Sequence, residues 1–242
     1  MVSQVGNYAV EVLDVTVEFG GVKALNQCTL TVENGECLGI IGPNGSGKTT
    51  LLNVINGFYK PLSGVVKIFG KRVDGMPPHK ICQMGVGRVF QVTNVFSNMT
   101  VLENILVQSV WKKGGGKVEV KAEKIMEMVK LPSHLKHELA GNISGGQQKL
   151  VDISRMLLSE PSILLLDEPV AGIHPTIKEI IVEILNRLKN ENKTIIIVSH
   201  DIPSILRVVD RLAFMNAGRI IMVGNPHEVR QSSEVIEAYL GV

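Results

Sequence analysis

Cysteine is scarce in this sequence, no apolar run is long, and neither sign of charge is in much excess. Each shortage excludes something. Cys28, Cys37 and Cys82 form an odd, scattered set with no CxxC pair, so a disulfide scaffold is excluded and reduced thiols at core or strand positions are expected. A net charge of +2, from 25 basic and 23 acidic residues, is too close to neutral to attract nucleic acid or a membrane surface by bulk electrostatics. The most apolar runs, residues 163–166 and 195–198, fall far below membrane-spanning length. Residues 1–7 are polar and small, unlike a secretory leader. Any membrane role is therefore expected to come through a partner, without direct insertion. What is present is ordinary for a soluble globule: 242 residues, 45% of them hydrophobic and 20% charged, enough for one large domain or two tightly joined lobes.

The first third reads as strands. Residues 8–19 alternate Val10, Val12, Val15 and Val17 with charged neighbours. Asn34-Gly35 is a strong tight-turn signal, so residues 25–41 are expected to form a hairpin. Residues 65–69 predict another strand, ended by a turn at Gly70. After Gln91 the pattern becomes helical. Thr100 and Glu103 make a capping box ahead of Ile105-Leu106-Val107, and residues 118–129 have helical spacing. Between them, Gly114-Gly115-Gly116 with Lys112, Lys113 and Lys117 predicts an exposed tip. Strands and helices then alternate: a strand over 162–166, a helix over 176–190, a strand over 193–199, a helix capped by Asp201, a hairpin around Asn216-Ala217-Gly218, and a helical segment from Asn225-Pro226. That order implies a mostly parallel sheet covered on both faces, with a helical lobe inserted into an α/β core.

Three stretches carry chemistry. Gly42-Pro43-Asn44-Gly45-Ser46-Gly47-Lys48-Thr49-Thr50 matches G-x-x-x-x-G-K-[ST] in full, between a buried-type strand and a helix that stops at Gly57. Its glycines let backbone N–H groups turn inward around phosphate oxygens, Lys48 supplies a charge for the terminal phosphates, and Thr49 is placed to ligate Mg²⁺. Asp167-Glu168 ends an apolar strand, as a nucleotide hydrolase needs: Asp167 would hold Mg²⁺ through water and Glu168 would polarise the attacking water. In residues 142–148, Ser144 is a natural N-cap, and Gly145 and Gly146 permit close approach to the helix start, a second anion-ready terminus. Local physics is equally satisfied there by a merely capped helix.

Ile143-Ser144-Gly145-Gly146-Gln147, about twenty residues before Asp167-Glu168, resembles the signature motif of ATP-binding cassette (ABC) ATPases, and further matches extend the resemblance over essentially the whole chain. It implies a P-loop NTPase (RecA-like) α/β core with an N-terminal antiparallel β subdomain, residues 1–91 and 159–242, and a helical signature lobe, residues 92–158. By the same resemblance Gln91 is the Q-loop glutamine that senses Mg²⁺ and nucleotide, His200 the switch histidine at the γ-phosphate, and Phe19 the aromatic that stacks on adenine. Ser144, Gly145, Gly146 and Gln147 would then complete the ATP site of a second cassette, the same or a paralogue, arranged head to tail. Two departures stand out: Ile143 replaces the usual Leu, and Ala171-Gly172-Ile173-His174 replaces a D-loop that commonly ends in an acid, which puts that cross-dimer contact in doubt.

Phe19-Gly20-Gly21-Val22-Lys23-Ala24-Leu25, Met99-Thr100-Val101-Leu102-Glu103-Asn104 and Glu168-Pro169-Val170-Ala171-Gly172 resemble the ATPases of branched-chain amino acid importers, a pattern much shared with lipopolysaccharide-export ATPases. The resemblance implies ATP and Mg²⁺ as ligands, integral membrane permeases as partners gripped by the helical lobe and residues 91–98, no nucleic acid, and a place on the cytoplasmic face of the membrane. The rivals are a soluble ABC ATPase of translation or DNA maintenance, for which the chain lacks a second cassette, a heptad run and a basic tract, and a small-molecule P-loop kinase, which has no use for residues 144–147.

Overall fold

The computed structural model of the protein describes residues 8–109 and 116–240. The leading residues 1–7 and residues 112–115 of the expected tip lie outside the described residues, whereas Gly116 and Lys117 of that tip begin a helix. The chain opens with β1 (Tyr8–Phe19) and β2 (Val22–Glu33), antiparallel partners joined at Gly20-Gly21, where φ values of 52° and 84° suit glycine. Then follow β3 (Cys37–Ile41), α1 (Lys48–Ile55), β4 (Ser63–Ile68), β5 (Lys71–Arg72), α2 (Pro78–Gln83) and β6 (Val86–Val89). Helices α3 (Val101–Leu106), α4 (Gly116–Met128) and α5 (Gly145–Leu158) occupy the stretch between β6 and β7 (Ile163–Asp167). The remainder is α6 (Pro175–Asn190), β8 (Thr194–Val198), α7 (Ile202–Ile205), β9 (Arg211–Asn216), β10 (Arg219–Gly224), α8 (Pro226–Gln231) and α9 (Ser233–Leu240).

Two sheets result. One is antiparallel, in the order β2-β1-β4-β5; the other has six strands in the order β10-β9-β3-β8-β7-β6, parallel from β9 to β6 with β10 antiparallel at its edge. The larger sheet separates two apolar cores, and the two-residue period of a strand assigns its side chains to them. Leu38, Ile40, Ile163, Leu165, Ile196 and Val198 join the core formed with β1, β2 and α1. Ile41, Leu164, Leu166, Ile195 and Ile197 join the core formed with α3, α4, α5 and α6. A sheet covered on both faces needs strands apolar at every position, which is why β3, β7 and β8 are buried throughout. Truncating one of these Leu or Ile side chains to Ala would cost about 2–5 kcal/mol.

One expectation is corrected here. Residues 25–41 do not form a hairpin: β2 pairs with β1, whereas β3 lies parallel between β8 and β9 in the other sheet. The Asn34-Gly35 turn exists, with Gly35 at φ 77°, but the Gly35 N–H donates to Thr194 Oγ1 at 2.9 Å and the Ile195 N–H donates to Glu36 O at 2.9 Å, so the turn carries the chain from one sheet to the next. Burial on both faces outweighs local turn preference, because a continuously apolar β3 would expose one face beside the half-buried β2. Cys82 is the second correction. Cys28 and Cys37 are buried in β2 and β3, but Cys82 is exposed on α2, a helix that carries no strong sequence signal.

Candidate functional site

The phosphate loop runs from the end of β3 into α1. Two of its glycines are required by close contact. A Cβ on Gly42 would lie 2.0 Å from the Met215 carbonyl oxygen, and one on Gly47 would lie 2.4 Å from that of Ala24, where φ is +107°. Gly47 caps α1 without any side-chain hydrogen bond, so the first-turn amides of the helix have no capping side chain. The resulting cavity, about 220 Å³, is bordered by Asn44, Gly45, Gly47, Lys48, Thr49 and Thr50, and across from them by Gln91, Asp167, Glu168 and His200. Strand order explains the meeting: β3 and β7 flank β8, so the residues at the C-terminal ends of all three converge on one edge.

Lys48 is buried, and its ammonium donates to the carbonyl oxygens of Gly42 at 2.8 Å and Pro43 at 2.7 Å. Burial pushes its pKa down, and the charges of Glu168 and Asp167 act against that shift. Ser46, within the loop, is buried and its hydroxyl oxygen accepts from the Lys48 ammonium at 3.4 Å. The Thr49 hydroxyl donates to Asp167 Oδ1 at 3.3 Å, while Asp167 Oδ2 accepts from Arg88 Nη2 at 2.9 Å. Burial also lowers the Arg88 guanidinium, to about 10, with Asp167 opposing the shift, so Arg88 stays charged at neutral pH.

Glu168 sits at φ +48°, a left-handed conformation that costs a non-glycine residue about 1–2 kcal/mol. Its N–H donates to Val198 O at 2.8 Å, which holds the turn. Its carboxylate is buried; Oε2 accepts from the Ser199 hydroxyl at 3.3 Å and the His200 N–H at 3.2 Å, whereas Oε1 has no hydrogen bond and lies 3.4 Å from His200 Nε2. An acceptor held at one oxygen and open at the other suits a group that must take a proton from water.

The oxygen donors at this cavity fit Mg²⁺. Thr49, Gln91 and Asp167 offer a hydroxyl, an amide oxygen and a carboxylate, a hard oxygen donor set of the kind Mg²⁺ takes together with phosphate oxygens. Among the described residues no cluster of three or more His, Cys, Asp or Glu could hold a metal ion.

Other expected positions lie elsewhere. Phe19 does not border the cavity; its ring, 47% exposed, packs edge-on against Tyr59 with centroids 5.0 Å apart. Ser144 caps α5 with a complete capping box: its hydroxyl accepts from the Gln147 N–H at 3.3 Å, and Gln147 Oε1 accepts from the Ser144 N–H at 3.0 Å. Ser144 and Gly145 are exposed and away from the cavity, and a Cβ on Gly145 would meet nothing within 4 Å. His174 is the N-cap of α6, its Nδ1 accepting from the Thr176 N–H at 3.3 Å, so it does for this helix what an acid would do there.

Two contributors escape sequence reasoning. Arg88 reaches Asp167 because β6 pairs with β7, an adjacency without a local signal. Lys149, on the second turn of α5, is buried and donates to the carbonyl oxygens of Phe90 at 2.7 Å and Gln91 at 3.3 Å, tying the chain at Gln91 to the helix that Ser144 begins.

With this geometry in hand, comparison with known proteins is specific. A family profile described as ABC transporter matches residues 25–171. A probable branched-chain amino acid transport ATP-binding protein LivG of Archaeoglobus fulgidus is 36% identical over 236 residues, covering 92% of this chain and 91% of that protein. The high-affinity branched-chain amino acid transport ATP-binding protein BraF of Pseudomonas aeruginosa is 34% identical, covering 96% and 97%. Among solved structures, the ADP conformation of an ATP-binding cassette of an ABC transporter superposes with a TM-score of 0.89 at 35% identity, over 97% of this chain and 99% of that one. A dimeric, post-hydrolysis cassette bound to ADP and Pi superposes at 0.81 with 28% identity, over 90% and 98%.

Proposed function

The chain belongs to the ABC transporter family, and from that premise we propose that it drives import of branched-chain, hydrophobic amino acids as one half of a head-to-tail pair of cassettes. It is an ATPase that couples ATP hydrolysis to transport. The amino acid cargo rests on the names of its relatives, which favour import over lipopolysaccharide export and over a soluble ABC role.

The cavity's lining supports the following roles. The triphosphate enters the loop at residues 42–50, where first-turn amides of α1 and the Lys48 ammonium meet its oxygens, Lys48 leaving the carbonyls of Gly42 and Pro43 to do so. Thr49, Gln91 and Asp167 would hold Mg²⁺, which would neutralise charge on the terminal phosphates. Glu168 takes a proton from the water that attacks the γ-phosphorus; the bond to the bridging oxygen breaks, and ADP leaves with that electron pair. His200, which lines the cavity, donates to the γ-phosphate, and Phe19, outside the cavity, stacks on adenine, a role that rests on its resemblance to the family's adenine-stacking aromatic.

One observation carries the paired arrangement. Ser144 and Gly145 open a capped helix, exposed and outside their own chain's cavity with open space at Gly145, while the phosphate loop faces solvent. Another cassette's triphosphate is the ligand that uses both. A groove of about 610 Å³ beside the site, bordered by Phe58, Phe90, Phe96 and Arg155, is the seat for a permease segment, which would hold the chain on the cytoplasmic face of the membrane. No helix among the described residues is long and apolar enough to cross a membrane.

Glu168→Gln tests the reading. It should retain ATP binding, lose about 10²–10⁴-fold in turnover and accumulate as an ATP-bound dimer in sizing chromatography. Parental turnover in that variant would remove Glu168 as the base. Failure of the chain to restore leucine, isoleucine and valine uptake, with its permeases present, would remove the cargo.

A further inference from the structure

Arg88 and Asp167 form an ion pair that is nearly sealed from solvent, with side-chain exposures of 4% and 3%. The guanidinium is poorly used for its burial. Nη2 meets Asp167 Oδ2, the group stacks over the Phe90 ring at 5.3 Å, but Nε and Nη1 are buried without partners. Such a pair is a weak source of stability, since desolvating two charges and leaving donors unmet offsets the attraction. Its position suggests what it does instead. Lys48 and Lys149 also act electrostatically on Asp167, but Lys149 is answered first by Asp152, so Arg88 and Lys48 face the carboxylates of Asp167 and Glu168. Before nucleotide arrives, Arg88 thus offsets the charge of the one metal-side carboxylate.

We propose that Arg88 makes cation binding at Asp167 conditional on nucleotide: it holds Oδ2, leaves Oδ1 to the Thr49 hydroxyl, and keeps a free divalent cation out until a triphosphate brings negative charge to the site. This rests on the reading of Asp167 as the metal-side carboxylate. Arg88 is a positioning residue; it touches Asp167 and need not touch substrate. The consequence is ordered loading, with the cation entering together with ATP, so that the empty site is not blocked by ions abundant in the cell.

Mn²⁺ binding to the full chain, followed by the electron paramagnetic resonance of the free ion, tests this without relying on turnover. Without nucleotide, Arg88→Met and Arg88→Gln should each bind Mn²⁺ about tenfold or more tightly than the parent, because one nearby positive charge is gone. A merely structural Arg88 would give equal or weaker binding in both variants, and that result overturns the proposal. If Arg88→Met does not fold, Arg88→Gln decides alone, as its amide still offers an N–H to Oδ2. Asp167→Asn, measured with a non-hydrolysable ATP analogue, separates the two readings. Weakened Mn²⁺ binding there upholds Asp167, whereas parental binding removes the role of Asp167 and Arg88's conditional role with it.

Discussion

His174 stands where related D-loops commonly carry an acid, and in this chain its work is visible: Nδ1 accepts from the Thr176 N–H at the start of α6, with Pro175 next to it in the first turn. A ring nitrogen can accept only when it carries no proton, so the neutral ring with hydrogen on Nε2 is the capping form. His174→Ala should lower the stability of the isolated chain by about 0.5–2 kcal/mol in urea denaturation, and His174→Asp should hold it at or above the parental value. An unchanged midpoint in His174→Ala would mean that the cap contributes nothing. Glu168 shows the same economy at the residue scale. Its strained φ, its backbone bond to Val198 and its single-sided carboxylate contacts with Ser199 and His200 all fix one oxygen and leave the other open.

Helix α3 carries a pH dependence whose sign can be worked out. The Glu103 carboxylate accepts from the Thr100 N–H and, second, from its hydroxyl, and these bonds hold its pKa below the ordinary value of 4.5. The unfolded chain therefore takes up this proton first on acidification. Stability from the capping box is present above pH 4.5 and is lost as pH falls through the lowered folded value. Glu103→Gln keeps the box's hydrogen-bond acceptor without the titration, so the gap between parental and variant urea midpoints should narrow on going from neutral pH to about pH 3. A constant gap would count against the box as its source. That box was legible because its two residues are three apart in sequence. Strands β7 and β8 were legible as apolar runs of strand length, the first bounded by Pro161 and Pro169. Strand β6 was not: Val86-Gly87-Arg88-Val89 is short and interrupted by a glycine and a charge, and it becomes a strand by pairing with β7. The partner of β3 was misread for a related reason, since Asn34-Gly35 signals that the chain turns and not which sheet it enters.

For the whole molecule, the cavity and the outward Ser144 helix are linked through Lys149, which spans from α5 to the backbone at Phe90 and Gln91. Sequence motifs located both ends of that link, but not the link itself, because a buried lysine leaves no pattern among its neighbours. Ser144→Arg should abolish cooperative ATP turnover while leaving ATP affinity of the monomer within about twofold of the parent, measured by titration of a fluorescent analogue, because Ser144 lies outside its own chain's cavity. Weakened monomer binding would argue that the helix start serves its own site. The placement of β3 has a consequence for how the protein comes into being. Both neighbours of the strand that delivers the phosphate loop, β8 and β9, lie far downstream in sequence, with Cys37 aligned to Ile195 and Ile41 to Phe214. On the ribosome β3 therefore emerges long before its partners, and such long-range pairing is slow to form. A nascent chain therefore cannot set its phosphate loop in the sheet until β8 and β9 have been made.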